Sequence, residues 1–144
     1  MSYLLDTHVL SELVKPARDA SVVAWTAGQS PLDLLISVLT LGELESGIAR
    51  MPRGARRLQL THWASTDVPR QFIGRLLPVD EAVGLAWGRL TAAGGSAGRP
   101  LPMIDGLLLA TAEVHRLTLV TRNVSDCADR GIGVFDPWTG TLYE

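Results

Sequence analysis

The chain has 144 residues, 47% hydrophobic and 19% charged, a balance that suits a folded domain and excludes a disordered tail. Its formal net charge of -2 excludes a bulk positive field as the route to nucleic acid, so any such contact must come from local patches. The single cysteine, Cys127, excludes an internal disulfide and a multi-cysteine zinc site.

In chain order, Tyr3 to Leu5 reads as a brief buried strand ended by Asp6. Thr7 to Val14 follows with apolar residues at 9, 10, 13 and 14, one face of a helix that Lys15-Pro16 stops. A short helix over Ser21 to Ala27 precedes Leu34 to Leu39, an apolar run of the kind buried on both faces of a parallel sheet. Thr40 is expected to start the next helix, and Ala55 to Ser65 another. Leu76-Leu77 is a minimal strand, and Asp80 caps an amphipathic helix from Glu81 to Ala93. Gly94 to Gly98 reads as a loop, Met103 to His115 as a helix, Leu117 to Val120 as a fourth strand and Gly133 to Phe135 as a fifth, edge strand. Strands alternating with helices imply an α/β fold, a three-layer α/β/α sandwich around a mainly parallel five-stranded sheet, with residues 1–144 as one domain. Without a basic, apolar leader or a run of spanning length, the expected setting is the cytoplasm, with no membrane partner.

Four acids fall where apolar runs give way to helix or loop: Asp6, Glu43, Asp105 and Asp126. In an open parallel sheet the residues just past the strand ends converge on one crevice. Carboxylates gathered there repel one another unless some protonate or a cation sits between them. Oxygen ligands on one side of a site suit a hard divalent ion such as Mg²⁺ or Mn²⁺, which keeps several waters.

Capping competes with that reading. Asp6 is an ordinary N-cap residue before Thr7, and Thr40-Leu41-Gly42-Glu43 fits a capping box. Glu45 points about 200° around the helix from Glu43, so only one of them can face the crevice. Asp105 opens a helix too apolar to face water, where a carboxylate needs a partner. After the fourth strand, Asp126 offers charge and Asn123 a neutral carbonyl oxygen, and either could reach the site. Arg50, Arg53, Arg56 and Arg57 form a local basic cluster that is either a solvated face or a phosphate contact. His8, His62 and His115 lack the spacing of a zinc motif.

The runs Leu4-Leu5-Asp6-Thr7-His8-Val9-Leu10-Ser11-Glu12, Ser37 to Leu44, Asp105-Gly106, Leu109 to Ala112, Val120-Thr121-Arg122-Asn123 and Val134 to Trp138 occur in an order that resembles the PIN-domain nucleases, and within them the VapC-type toxins of toxin-antitoxin pairs. The resemblance implies a homodimer, a Mg²⁺- or Mn²⁺-dependent endoribonuclease leaving a 5′-phosphate and a 3′-hydroxyl, and a small antitoxin partner. It assigns the first three acids to Asp6, Glu43 and Asp105, and gives Thr7 the task of orienting the first. Relatives carry Asp either where Asn123 stands or three residues later, as at Asp126, which leaves the fourth ligand and the metal count open. Two other readings are a PIN-like binding module without catalysis and a receiver-like phosphoacceptor domain. The latter needs a lysine at a late strand end, and the only lysine is Lys15.

Overall fold

The computed structural model describes residues Met1–Glu144. Tyr3–Leu5 (β1), Leu34–Ser37 (β2), Leu76–Leu77 (β3), Thr118–Val120 (β4) and Val134–Asp136 (β5) pair in parallel, and Thr141–Tyr143 (β6) adds an antiparallel strand. The order across the sheet is β3-β2-β1-β4-β5-β6, so β1 is central between β2 and β4. Register sets Leu4 opposite Leu35 and Leu119, and Leu5 opposite Val120.

Successive strand side chains point to opposite faces. Leu4, Leu119 and Val134 therefore enter one core, while Leu5, Leu34, Ile36 and Val120 enter another. The first core is closed by α6 (Glu81–Ser96), α7 (Met103–His115) and the short α8 (Val124–Cys127), through Leu90, Leu108, Leu109, Ala112 and Cys127. The second is closed by α1 (Thr7–Leu13), α2 (Ala20–Ala27), α3 (Val38–Ala49) and α5 (Val68–Gln71), with α4 (Ala55–His62) beside α3. The α/β/α layering is as expected from the sequence. Each fully buried Leu or Ile contributes about 1.5–3 kcal/mol, and burial on both faces explains why β1, β2 and β4 are mostly apolar.

Four boundaries differ from expectation. The sheet has six strands rather than five, so β5 is not an edge; β6 carries exposed Thr141 and Leu142 and gives little apolar signal. Helix α3 begins at Val38, because Ser37 Oγ accepts the Leu39 N–H at 3.0 Å, two residues before the expected start at Thr40. Helix α6 runs through Gly94 and Gly95 to Ser96. The helix expected over Ala55 to Ser65 is α4, which continues as a π-helical turn over Trp63–Asp67 into α5. No helix is long and apolar enough to cross a membrane.

Candidate metal centre

The parallel strands β1, β2 and β4 end side by side; Asp6 follows β1, Ser37 ends β2 and Thr121 follows β4. Asp6 follows β1 directly, is 5% exposed, and continues the ladder by donating its N–H to Val120 O at 2.9 Å. It also caps α1, since its Oδ1 accepts the Thr7 N–H at 2.7 Å. Capping uses only that oxygen. Its Oδ2 accepts the buried Thr121 hydroxyl at 2.7 Å.

Glu43 is not part of a capping box, because α3 already starts at Val38 and puts Glu43 in its second turn. Its Oε1 accepts the Thr7 hydroxyl at 2.6 Å, which joins it to the residue after Asp6. Glu45 is exposed, so Glu43 is the acid that faces the crevice. The hydroxyl of Thr7 thus serves Glu43, while its backbone N–H serves Asp6.

Asp105 sits in the first turn of α7, which leads into β4 and so begins at the same sheet edge. Its Oδ2 accepts the Asn123 side-chain N–H at 2.9 Å, and the same nitrogen donates to Asp126 Oδ2 at 3.0 Å. The expectation for Asn123 was a carbonyl ligand. Its amide instead turns nitrogen to the two carboxylates, which can only accept, and its oxygen towards Ser125 Oγ at 3.4 Å. Asn123 here links and orients two acids.

Thr121 escaped the sequence reading. It is fully buried, donates to Asp6 and accepts the Asn123 backbone N–H at 3.1 Å, so a hydrogen-bonded chain runs Asp6, Thr121, Asn123, then Asp105 and Asp126. The signal available was its position: a hydroxyl directly after a buried strand whose neighbour ends in Asp6.

The field of these acids is felt by their neighbours. The Asp105 carboxyl is raised above its ordinary value by burial first, then by the charges of Asp6 and Asp126, with Asn123 opposing. His8 Nδ1 lies 3.8 Å from Asp6 Oδ2. Contact with Asp6 raises the His8 pKa, with smaller contributions from the charges of Glu43 and Asp105. The Cys127 thiol is pushed up to about 12 by burial and then by Asp105, Asp6 and Asp126, which leaves it unreactive.

These donors are all oxygens, mutually repulsive and partly open to solvent. As the side chains stand, no three His, Cys, Asp or Glu residues are gathered closely enough to hold a metal ion. The all-oxygen chemistry of the donors suits a hard cation that keeps waters, and does not suit zinc. A groove lined by Thr7, Ser11, Glu43, Leu44, Ile48 and Trp63 opens beside Glu43, and a second concavity is lined by His8, Arg122 and Asn123.

The remaining candidates are accounted for elsewhere. Arg56 donates to Val14 O at 2.6 Å, Arg57 to Met51 O at 3.2 Å and Arg50 to Ser46 O at 3.2 Å, so most of that basic cluster is spent on main-chain carbonyls. Lys15 Nζ pairs with Glu12 at 2.9 Å, which occupies the cation that a receiver-like site would need.

The PIN domain model matches residues 3–125. The chain is 33% identical over 135 residues to the toxin FitB of Neisseria gonorrhoeae, covering 94% of this chain and 97% of that protein. It is 34% identical over 135 residues to a VapC ribonuclease of Sinorhizobium fredii, covering 94% and 96%. The crystal structure of FitAcB from Neisseria gonorrhoeae superposes with a TM-score of 0.89 at 32% identity, covering 94% of this chain and 98% of that one. The chain belongs to the PIN-domain family, among its VapC-type toxins.

Proposed function

We propose that Asp6, Glu43, Asp105 and Asp126 hold Mg²⁺ or Mn²⁺, and that this toxin ribonuclease of a type II toxin-antitoxin pair is an endoribonuclease that depends on the ion to hydrolyse RNA phosphodiester bonds. The observation that carries the reading is the chain of hydrogen bonds from Asp6 through Thr121 and Asn123 to Asp105 and Asp126, which keeps charges that repel one another at a single sheet edge. When bound, the ion would lower the pKa of a water and offset charge growing on the phosphate oxygens.

The chain's own residues do the positioning. Thr121 and the Thr7 N–H fix both oxygens of Asp6. Asn123 sets the angle between Asp105 and Asp126. Thr7 holds Glu43 by one oxygen and leaves Oε2 to orient the attacking water. In-line attack leaves a 5′-phosphate and a 3′-hydroxyl.

The partner is the cognate antitoxin of the pair. Residues 1–144 act as one PIN-like unit in the cytoplasm, and two copies associate as a homodimer, which sedimentation of the purified toxin tests. The catalytic reading is tested with purified protein, single-stranded RNA and Mn²⁺ or Mg²⁺. Cleavage should stop with EDTA and in Asp6→Asn or Asp105→Asn, both folded by circular dichroism. Wild-type turnover in either variant refutes the assignment.

A further inference from the structure

Arg122 stands between the acid site and the C-terminal segment, and it combines stacking on an aromatic ring with an unpaired guanidinium. Its guanidinium carbon lies 5.1 Å from the centre of the Trp138 ring. Arg75 also stacks, on Phe72, but spends its donors on carbonyl oxygens, whereas the stacked Arg122 guanidinium makes no hydrogen bond or ion pair within the chain. Trp138 is itself fixed: its N–H donates to the buried Asp136 Oδ1 at 2.9 Å, and its ring packs on the second core.

Arg122 therefore combines a restrained position with unspent donors. The next residue, Asn123, touches Asp105 and Asp126, and both residues line the concavity shared with His8. A polyanion approaching four carboxylates is repelled except where a cation faces it. Stacking on an indole lowers the entropy that a free arginine would lose on gripping a phosphate, and a guanidinium fork suits two phosphate oxygens.

We propose that Arg122, held against Trp138, grips a backbone phosphate of the RNA beside the scissile bond, with Trp138 as the positioning residue. The inference rests on the ribonuclease reading above and assigns the substrate contact which that reading lacks. Arg122 binds substrate without taking part in proton transfer, so its loss acts on binding in the ground and transition states alike.

The test uses full-length protein and a fluorescein-labelled single-stranded RNA. Arg122→Ala should raise KM about ten-fold with kcat little changed, as expected for one charge-assisted contact. Binding is read by anisotropy in the Asp105→Asn background, where cleavage is blocked. The slope of log Kd against log salt should fall by roughly 0.7, the value for one single-strand phosphate contact. Arg122→Lys should recover the salt slope and only part of the affinity. Trp138→Leu should raise KM in the wild-type background and leave it unchanged in Arg122→Ala, whereas a merely structural Trp138 would add its effect in both.

Unchanged KM and salt slope in Arg122→Ala, with wild-type cleavage intact, overturn the assignment and leave the ribonuclease reading standing. Absence of EDTA-sensitive cleavage in the wild type overturns the ribonuclease reading instead, while the anisotropy slope still reports on Arg122.

Discussion

The Thr121 hydroxyl donates to Asp6 Oδ2 at 2.7 Å while accepting the Asn123 N–H at 3.1 Å, so one buried side chain ties the end of β1 to the loop after β4. Replacing it with valine keeps the shape and removes both bonds. A buried carboxylate oxygen and a backbone N–H then lose their partner, a cost of about 1–3 kcal/mol. Thr121→Val should lower the melting temperature and reduce kcat more than it raises KM, because Asp6 loses its orientation. Full wild-type kcat in a folded Thr121→Val protein would show that Asp6 needs no such support.

The layering was legible because β1, β2 and β4 are buried on both faces and so are rich in Leu, Ile and Val. Asp6, Glu43, Asp105 and Asp126 were legible as candidates for a related reason: an acid near the end of an apolar strand or heading an apolar helix needs a partner there. What binds them together was not. Thr121 is an ordinary residue in sequence, and its role exists only once β4 lies beside β1. Nor could the orientation of Asn123 be read in advance, since it depends on two carboxylates at a distance of 18 and 3 residues. Strand β6 stayed hidden because its pairing with β5 relies on main-chain bonds, while Leu142 remains exposed.

Asn123 neutralises part of the repulsion between Asp105 and Asp126 with a single nitrogen. Asn123→Asp removes that donor and adds another carboxylate. Without divalent ions the variant should melt below the wild type, by an amount that shrinks as added Mg²⁺ or Mn²⁺ takes over the charge. Thermal melts with and without metal check this. A variant whose melting point is as insensitive to metal as a surface control would place Asn123 outside the centre.

Two carboxyls, buried Glu12 and half-buried Asp105, pull in opposite directions with pH. Glu12 accepts from Lys15 Nζ at 2.9 Å and from the Asp19 N–H at 2.8 Å, and the Lys15 bond above all lowers its pKa from 4.5. Its contribution is present above that ordinary value and is lost as pH falls through the lowered one. Asp105 is raised from 3.8 by burial and by Asp6 and Asp126, so its protonated form favours the fold below that value, and the advantage is lost as pH rises through the raised one. In metal-free buffer, Asp105→Asn should therefore be more stable than the wild type at neutral pH, with the difference vanishing in acid. Glu12→Gln should be less stable at neutral pH and converge on the wild type in acid. Melting curves across the acid range decide both, and a difference that does not change with pH would rule out titration as its cause.

Gly94 explains why a stretch that reads as loop remains helical. The chain turns back at Gly98, with φ +67°, and the Arg99 carbonyl then comes so close that a Cβ on Gly94 would lie 2.7 Å from its oxygen. The Arg99 N–H also donates to Gly94 O at 2.8 Å, so the backbone cannot simply move aside. Alanine inside a helix gains about 1 kcal/mol over glycine, but overpacking against a fixed carbonyl costs about 1–3 kcal/mol. Gly94→Ala should therefore destabilise the protein, whereas Gly95→Ala, in the same helix with nothing within 4 Å of its Cβ, should stabilise it. At roughly 2–4 °C per kcal/mol the two variants should move the melting temperature in opposite directions. If both raised it, the Arg99 segment would have to be free to retreat, and helix propensity alone would govern this turn.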